Sequence, residues 1–149
     1  MKLGIFGSRT LKDDRVKLLI LEEIDRLNAD MIVTTQEPLG VCTVAQQVAK
    51  SEGIPLELHF LNFKYRTGAY EHRCDEVIKS ADRILLIHDG ISKGTANELE
   101  RVKKFMKLYR YEKLEVEENK RFYDNKLEAF TKDNENNGDD LLGEIVKLV

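Results

Sequence analysis

Ala81-Asp82-Arg83-Ile84-Leu85-Leu86-Ile87-His88-Asp89-Gly90-Ile91-Ser92-Lys93-Gly94-Thr95-Ala96-Asn97-Glu98 decides the fold. From Arg83 to Ile87 the residues are β-prone and almost wholly apolar, the composition of a strand buried on both faces of a parallel sheet. Asp89-Gly90 breaks that strand. Ser92 to Thr95 supplies small, hydroxylated and flexible residues, and the spacing predicts a helix from Asn97 to Leu108. In an open α/β sheet the ligand crevice lies outside the carboxyl ends of the strands, where a helix N-terminus offers unpaired N–H groups to an anion. Asp89, Gly90, Ser92, Lys93, Gly94 and Thr95 are therefore candidate ligand-binding residues.

The same rhythm recurs toward the amino terminus. Lys2-Leu3-Gly4-Ile5-Phe6 reads as a first strand ending at Gly7-Ser8-Arg9-Thr10. Asp13 or Asp14 then caps a helix whose Val16, Leu18, Leu19, Leu21, Ile24 and Leu27 recur at helical spacing. Gly7 allows close backbone approach, Ser8 offers a hydroxyl, and Arg9 has the fork geometry for phosphate or carboxylate. A plain tight turn with a solvent-facing arginine is the other reading. Met31 to Thr35 is a second strand, Val41 to Lys50 a second helix, and Leu56 to Phe60 a third strand, which together argue for a doubly wound sheet. Thr35 ends the second strand and joins the candidate ligand-binding set. Asn62 to Tyr70 is polar, aromatic and basic, suited to wrapping a ligand or covering the sheet edge. A helix from about Glu71 to Lys79 leads into the central strand.

At 149 residues and 42% hydrophobic content the chain fits one domain with a sizeable core, plus a tail. The net charge of −3 is uneven: residues 1–110 carry 18 basic and 16 acidic side chains, whereas 111–149 carry 6 and 11. Neither part has the clustered basic face that a nucleic-acid partner requires. No segment has signal-peptide form and no apolar run approaches the roughly 18 residues that span a membrane, so a cytoplasmic protein without membrane partners is expected. Cys42 and Cys74 do not form a CxxC pair, and His59, His72 and His88 lack metal-ligand spacing. Reduced thiols, no metal and no cofactor are expected. Cys42 as a nucleophile has no histidine near it in sequence, and His88 with Asp89 reads as turn residues or as a ligand contact.

Arg73 near the start of one helix and Glu98 in the first turn of the next flank the central strand, so both are placed to face one crevice. A cation and a carboxylate beside a phosphate loop suit a nucleotide-like ligand. The plainer reading is a surface ion pair and a carboxylate complementing a helix dipole, each worth under about 1 kcal/mol.

The pattern Arg73, Ser80-Ala81-Asp82, the apolar strand, Asp89-Gly90-Ile91-Ser92-Lys93-Gly94-Thr95 and Glu98 resembles the SLOG superfamily (SMF/DprA and LOG proteins), closest to its small YspA-like branch, over residues 1–110. The resemblance implies a Rossmann-like fold and a nucleotide or nucleotide-derived ligand. Arg73, Gly94, Thr95 and Glu98 match elements of LOG proteins, which release a free base from its ribotide, and Gly7, Ser8 and Arg9 match the first-strand loop. The second-strand loop departs from the pattern: Gln36-Glu37-Pro38-Leu39-Gly40 stands where relatives are glycine-rich. The segment before Gly94 also lacks their Pro-Gly-Gly start.

The expected architecture is an α/β, Rossmann-like open parallel sheet of about five strands flanked by helices, with sheet order 3-2-1-4-5 taken from fold analogy. A nucleotide-binding domain spans 1–116, with Leu114-Glu115-Val116 as a fifth, edge strand. An acidic helical extension spans 117–149, with a helix from Glu118 to Phe130, a linker near 132–138 and a short amphipathic helix from Leu141 to Val149 that suggests a homodimer. The expected function is nucleotide binding at the strand ends. If there is chemistry, it is cleavage of an N-glycosidic bond with Glu98 and Arg73 as catalytic residues, Glu98 orienting water or stabilising an oxocarbenium-like sugar. The alternative is a non-catalytic nucleotide sensor or binding module.

Overall fold

The computed structural model describes residues 1–116. The helices assigned from sequence to Glu118–Phe130 and Leu141–Val149, and the linker near 132–138, lie outside them. Five strands, β1 (Lys2–Gly7), β2 (Met31–Thr35), β3 (Leu56–His59), β4 (Arg83–His88) and β5 (Tyr109–Lys113), form one sheet in the order β3-β2-β1-β4-β5. Every pairing is parallel, with Ile5 opposite Thr34 and Leu85, and Ile84 opposite Tyr109. Helices α1 (Asp14–Leu27), α2 (Val41–Glu52), α3 (Ala69–Ser80) and α4 (Lys93–Lys104) complete a Rossmann-like α/β domain. A 3-10 segment, Phe63–Gly68, precedes α3. No helix among the described residues is long and apolar enough to cross a membrane.

Alternation along buried strands sends successive side chains to opposite faces. On one face Phe6, Val33, Ile84 and Leu86 pack with Cys74, Val77 and Ile78 of α3 and Val102 of α4. On the other, α1 and α2 lie side by side and bury Val16, Ile20, Val41, Val44, Ala45 and Val48. Each fully buried aliphatic side chain contributes about 1.5–3 kcal/mol, which makes the central strands the stable frame for the loops at their ends. The sheet reverses its winding between β1 and β4, the position beside which open α/β sheets carry their ligands.

Two boundaries differ from the sequence expectation. Helix α4 begins at Lys93, not Asn97, because Asp89 accepts hydrogen bonds from the N–H groups of Ile91 (2.9 Å) and Ser92 (2.7 Å) and sets the chain on course one turn earlier. It ends at Lys104 because Met106 adopts a left-handed φ of 55°. The fifth strand is accordingly Tyr109–Lys113 rather than Leu114–Val116. Only the Leu114 N–H continues the ladder, to the His88 carbonyl at 2.8 Å. Arg110 therefore sits on β5, bound to Glu22, Glu23 and Glu112.

Candidate functional site

The loops after β1, β2 and β4 meet at the carboxyl edge of the sheet. Ser8 is their junction. Its N–H donates to the Ile87 carbonyl at 3.0 Å, its carbonyl accepts from Val41 at 3.3 Å, and its hydroxyl accepts the Asp89 N–H at 3.1 Å. The same hydroxyl lies 3.0 Å from that of Thr95, in the first turn of α4. Small residues make this closeness possible. A side chain at Gly7 would enter Val41 at 2.3–2.5 Å, and one at Gly40, whose φ is +84°, would come within 2.3 Å of the Arg9 backbone. Both glycines are thus required by loop-on-loop packing within the protein.

The loop after β4 is held internally. Both oxygens of Asp89 are occupied, Oδ1 by the Ile91 and Ser92 N–H groups and Oδ2 by the hydroxyls of Thr10 (2.7 Å) and Ser92. Burial works against its charge, but these bonds prevail and hold its carboxyl down at about 2. His88 bridges the Tyr111 hydroxyl (2.8 Å) and the Ser92 carbonyl (2.9 Å). Gly90, at φ +88°, turns past the Lys113 side chain. Asp89, Gly90 and Ser92 therefore shape the crevice from behind.

What faces outward is the start of α4. Its first helical bond runs from the Ala96 N–H to the Ser92 carbonyl, so the N–H groups of Lys93, Gly94 and Thr95 precede any helical acceptor. Ser92 caps the helix without a side-chain bond, and nothing lies within 4 Å of the space above Gly94. The Asp89 carboxylate, bound to the Ser92 N–H, already complements the dipole at this end, and the N–H groups of the first turn lie beside it.

Arg73, on the second turn of α3, comes from the side and is nearly buried. Its guanidinium donates to the Gln36 carbonyl at 3.2 Å and to the Glu37 carboxylate, while its Nε has no hydrogen-bond partner. Arg9 reaches the same carboxylate at 3.2 Å. Tyr70, one helical turn before Arg73, places its ring 5.5 Å from that guanidinium and its hydroxyl against Arg9.

Glu98 completes the group. It is partly exposed, and it makes no hydrogen bond or ion pair among the described residues. Burial, and secondarily the charge of Glu37, push its carboxyl up to about 8 against the opposing pull of Arg73 and Arg9. A carboxyl in that range is protonated at neutral pH and can give up a proton.

No family model, curated protein or solved structure matches this chain.

Of the residues expected from sequence, the structure brings together Ser8, Arg9, Arg73, Thr95 and Glu98, with Lys93 and Gly94 on the exposed helix turn. Thr35 points elsewhere, its hydroxyl 3.3 Å from the Cys42 sulfur inside the core. Burial raises the thiols of Cys42 and Cys74, which removes the thiolate that nucleophilic chemistry needs. Among the described residues no group of three or more His, Cys, Asp or Glu side chains is placed to hold a metal ion. Tyr70, at the end of the Asn62–Tyr70 segment suited to wrapping a ligand, joins this cluster, as does Glu37, which the sequence does not single out. Each stands beside the carboxyl edge, at the end of β2 or the start of α3.

Proposed function

We propose that the chain binds a nucleotide or nucleotide-derived ligand at the carboxyl ends of β1 and β4 and hydrolyses its N-glycosidic bond. The observation that carries this reading is the Glu98 carboxyl, without a hydrogen-bond partner and raised to about 8, which stands within electrostatic reach of Arg73 and Arg9 on the first turns of α4. A 5′-phosphate suits the N–H groups of Gly94 and Thr95, with Arg9 as the exposed cation beside them. Its raised carboxyl gives Glu98 the part of proton donor to the leaving base. Water adds to C1′ of the sugar as the C–N bond breaks. The base departs with the Glu98 proton, and the proton lost by water restores Glu98, leaving free base and ribose 5-phosphate. The resemblance to the SLOG superfamily points to the same ligand class.

One observation favours a second reading, a nucleotide sensor. Glu37 already occupies both arginines, so a ligand that competes for them moves the loop after β2. The two readings share a site and differ in whether the ligand is returned unchanged.

A thermal-shift screen of nucleoside monophosphates, NAD, ADP-ribose and cyclic nucleotides tests the shared part. A ligand at 100 times its Kd adds about 2.7 kcal/mol of stability. The expected result is a rise in Tm with at least one member that Arg73→Ala abolishes. No rise with any member contradicts the proposal.

A further inference from the structure

Tyr70 has no task in the fold that explains its exposure. It is the second residue of α3, and 57% of its surface remains in solvent. Large aromatic side chains normally bury their area, and one left this open beside a polar cluster points to a binding surface. Its surroundings fix its ring rather than leave it adrift. The ring stands 5.5 Å from the Arg73 guanidinium, and the hydroxyl lies against Arg9. Arg73 in turn is tied to Glu37 and the Gln36 carbonyl, which anchors the platform to the end of β2. Arg9, beside Tyr70, follows Ser8, whose hydroxyl meets that of Thr95 in the first turn of α4 at 3.0 Å.

From this placement we infer that Tyr70 is a specificity-determining residue: it stacks the planar ring of the ligand and so selects ring-bearing phosphates over bare sugar phosphates. The inference rests on the nucleotide reading above and extends it. The Arg73 side supports the ring electrostatically, and the solvent side is free to receive a base. Base-on-aromatic stacking is sequence-tolerant because every base has a π-face, so Tyr70 selects for the presence of a base and not for its identity.

The test measures Kd by calorimetry for AMP, GMP, CMP, UMP and ribose 5-phosphate with the full chain, its Tyr70→Phe and Tyr70→Ala variants. The expected result is that Tyr70→Ala binds the nucleotides about 5- to 150-fold more weakly than the wild type. Tyr70→Phe keeps their affinity within about threefold, and ribose 5-phosphate binds all three proteins alike. Unchanged nucleotide affinity in Tyr70→Ala overturns the inference while leaving the nucleotide site standing. An equal loss for ribose 5-phosphate also overturns it, because Tyr70 then acts only by holding Arg9 and Arg73. A wild type that binds none of the five overturns this inference, whereas only a failure of the wider screen above contradicts the nucleotide reading.

Discussion

Ser8 and Thr95, 87 positions apart in sequence, meet hydroxyl to hydroxyl at 3.0 Å and join the loop after β1 to the first turn of α4. Because the Ser8 oxygen also accepts the Asp89 N–H, this contact fixes three segments with one side chain. Ser8→Ala leaves a buried N–H without an acceptor and is expected to cost about 1–3 kcal/mol. Thr95→Val keeps the volume and loses the hydroxyl, at about 1 kcal/mol. The double variant should cost less than the two summed, since both remove one bond. Urea unfolding of the four proteins checks this, and strict additivity refutes the link.

The raised carboxyl of Glu98 makes stability depend on pH in a definite direction. Its value of about 8 in the folded chain exceeds that of an ordinary glutamate, about 4.3, so the folded state binds the proton more tightly. The stabilisation is complete below the unfolded value and is lost as pH rises from about 4.5 to 8. Glu98→Gln, permanently neutral, removes this slope, and relative to the wild type it gains roughly 2–4 kcal/mol by pH 8. Asp89 acts oppositely and in another window: held down at about 2, it contributes stability above pH 4 that fades as pH falls toward 2. Unfolding curves between pH 4.5 and 9 that fall alike for wild type and Glu98→Gln would show the carboxyl to be ordinary.

Gly7 and Val41 are coupled through space. A methyl group at position 7 would sit 2.3–2.5 Å from the Val41 side chain, so Gly7→Ala is expected to destabilise by about 1–3 kcal/mol and to weaken any ligand binding at Ser8 and Arg9. Val41→Ala alone opens a small cavity. Together they should cost less than either sum suggests, because the new methyl enters the vacated space. If the double variant is no better than additive, the glycine is needed for some reason other than Val41.

Most of the frame was readable from residue order because burial on both faces leaves continuous apolar runs. Ile84 to Ile87 and Leu3 with Ile5 and Phe6 have that form, and β1, β2 and β4 start and end within a residue of expectation. β5 was misplaced because an edge strand obeys a different rule: Tyr109 and Tyr111 alternate with Arg110 and Glu112, a pattern less conspicuous than the more apolar Leu114-Glu115-Val116. The start of α4 was hidden because Ser92-Lys93-Gly94 has weak helix propensity, and the cue came from the side chain of Asp89. Among site residues, Arg73 and Glu98 were visible through their spacing about the central strand. Glu37 was not, since its meaning depends on Arg73, 36 positions away. In sequence the loop from Gln36 to Gly40 showed only the absence of a glycine-rich turn. In the fold, Gly40 serves that loop's packing while Glu37 supplies its charge.

In the proposed hydrolysis Glu98 gives its proton to the departing base. The most direct measurement incubates nucleoside monophosphates with wild-type and Glu98→Gln protein and separates the products by chromatography, with Kd determined for both. The expected products from the wild type are free base and ribose 5-phosphate in equal amounts. A loss of at least about 100-fold in the rate is expected for Glu98→Gln, with Kd little changed. Tight binding with no product from the wild type, or equal product from both proteins, would contradict that proton transfer.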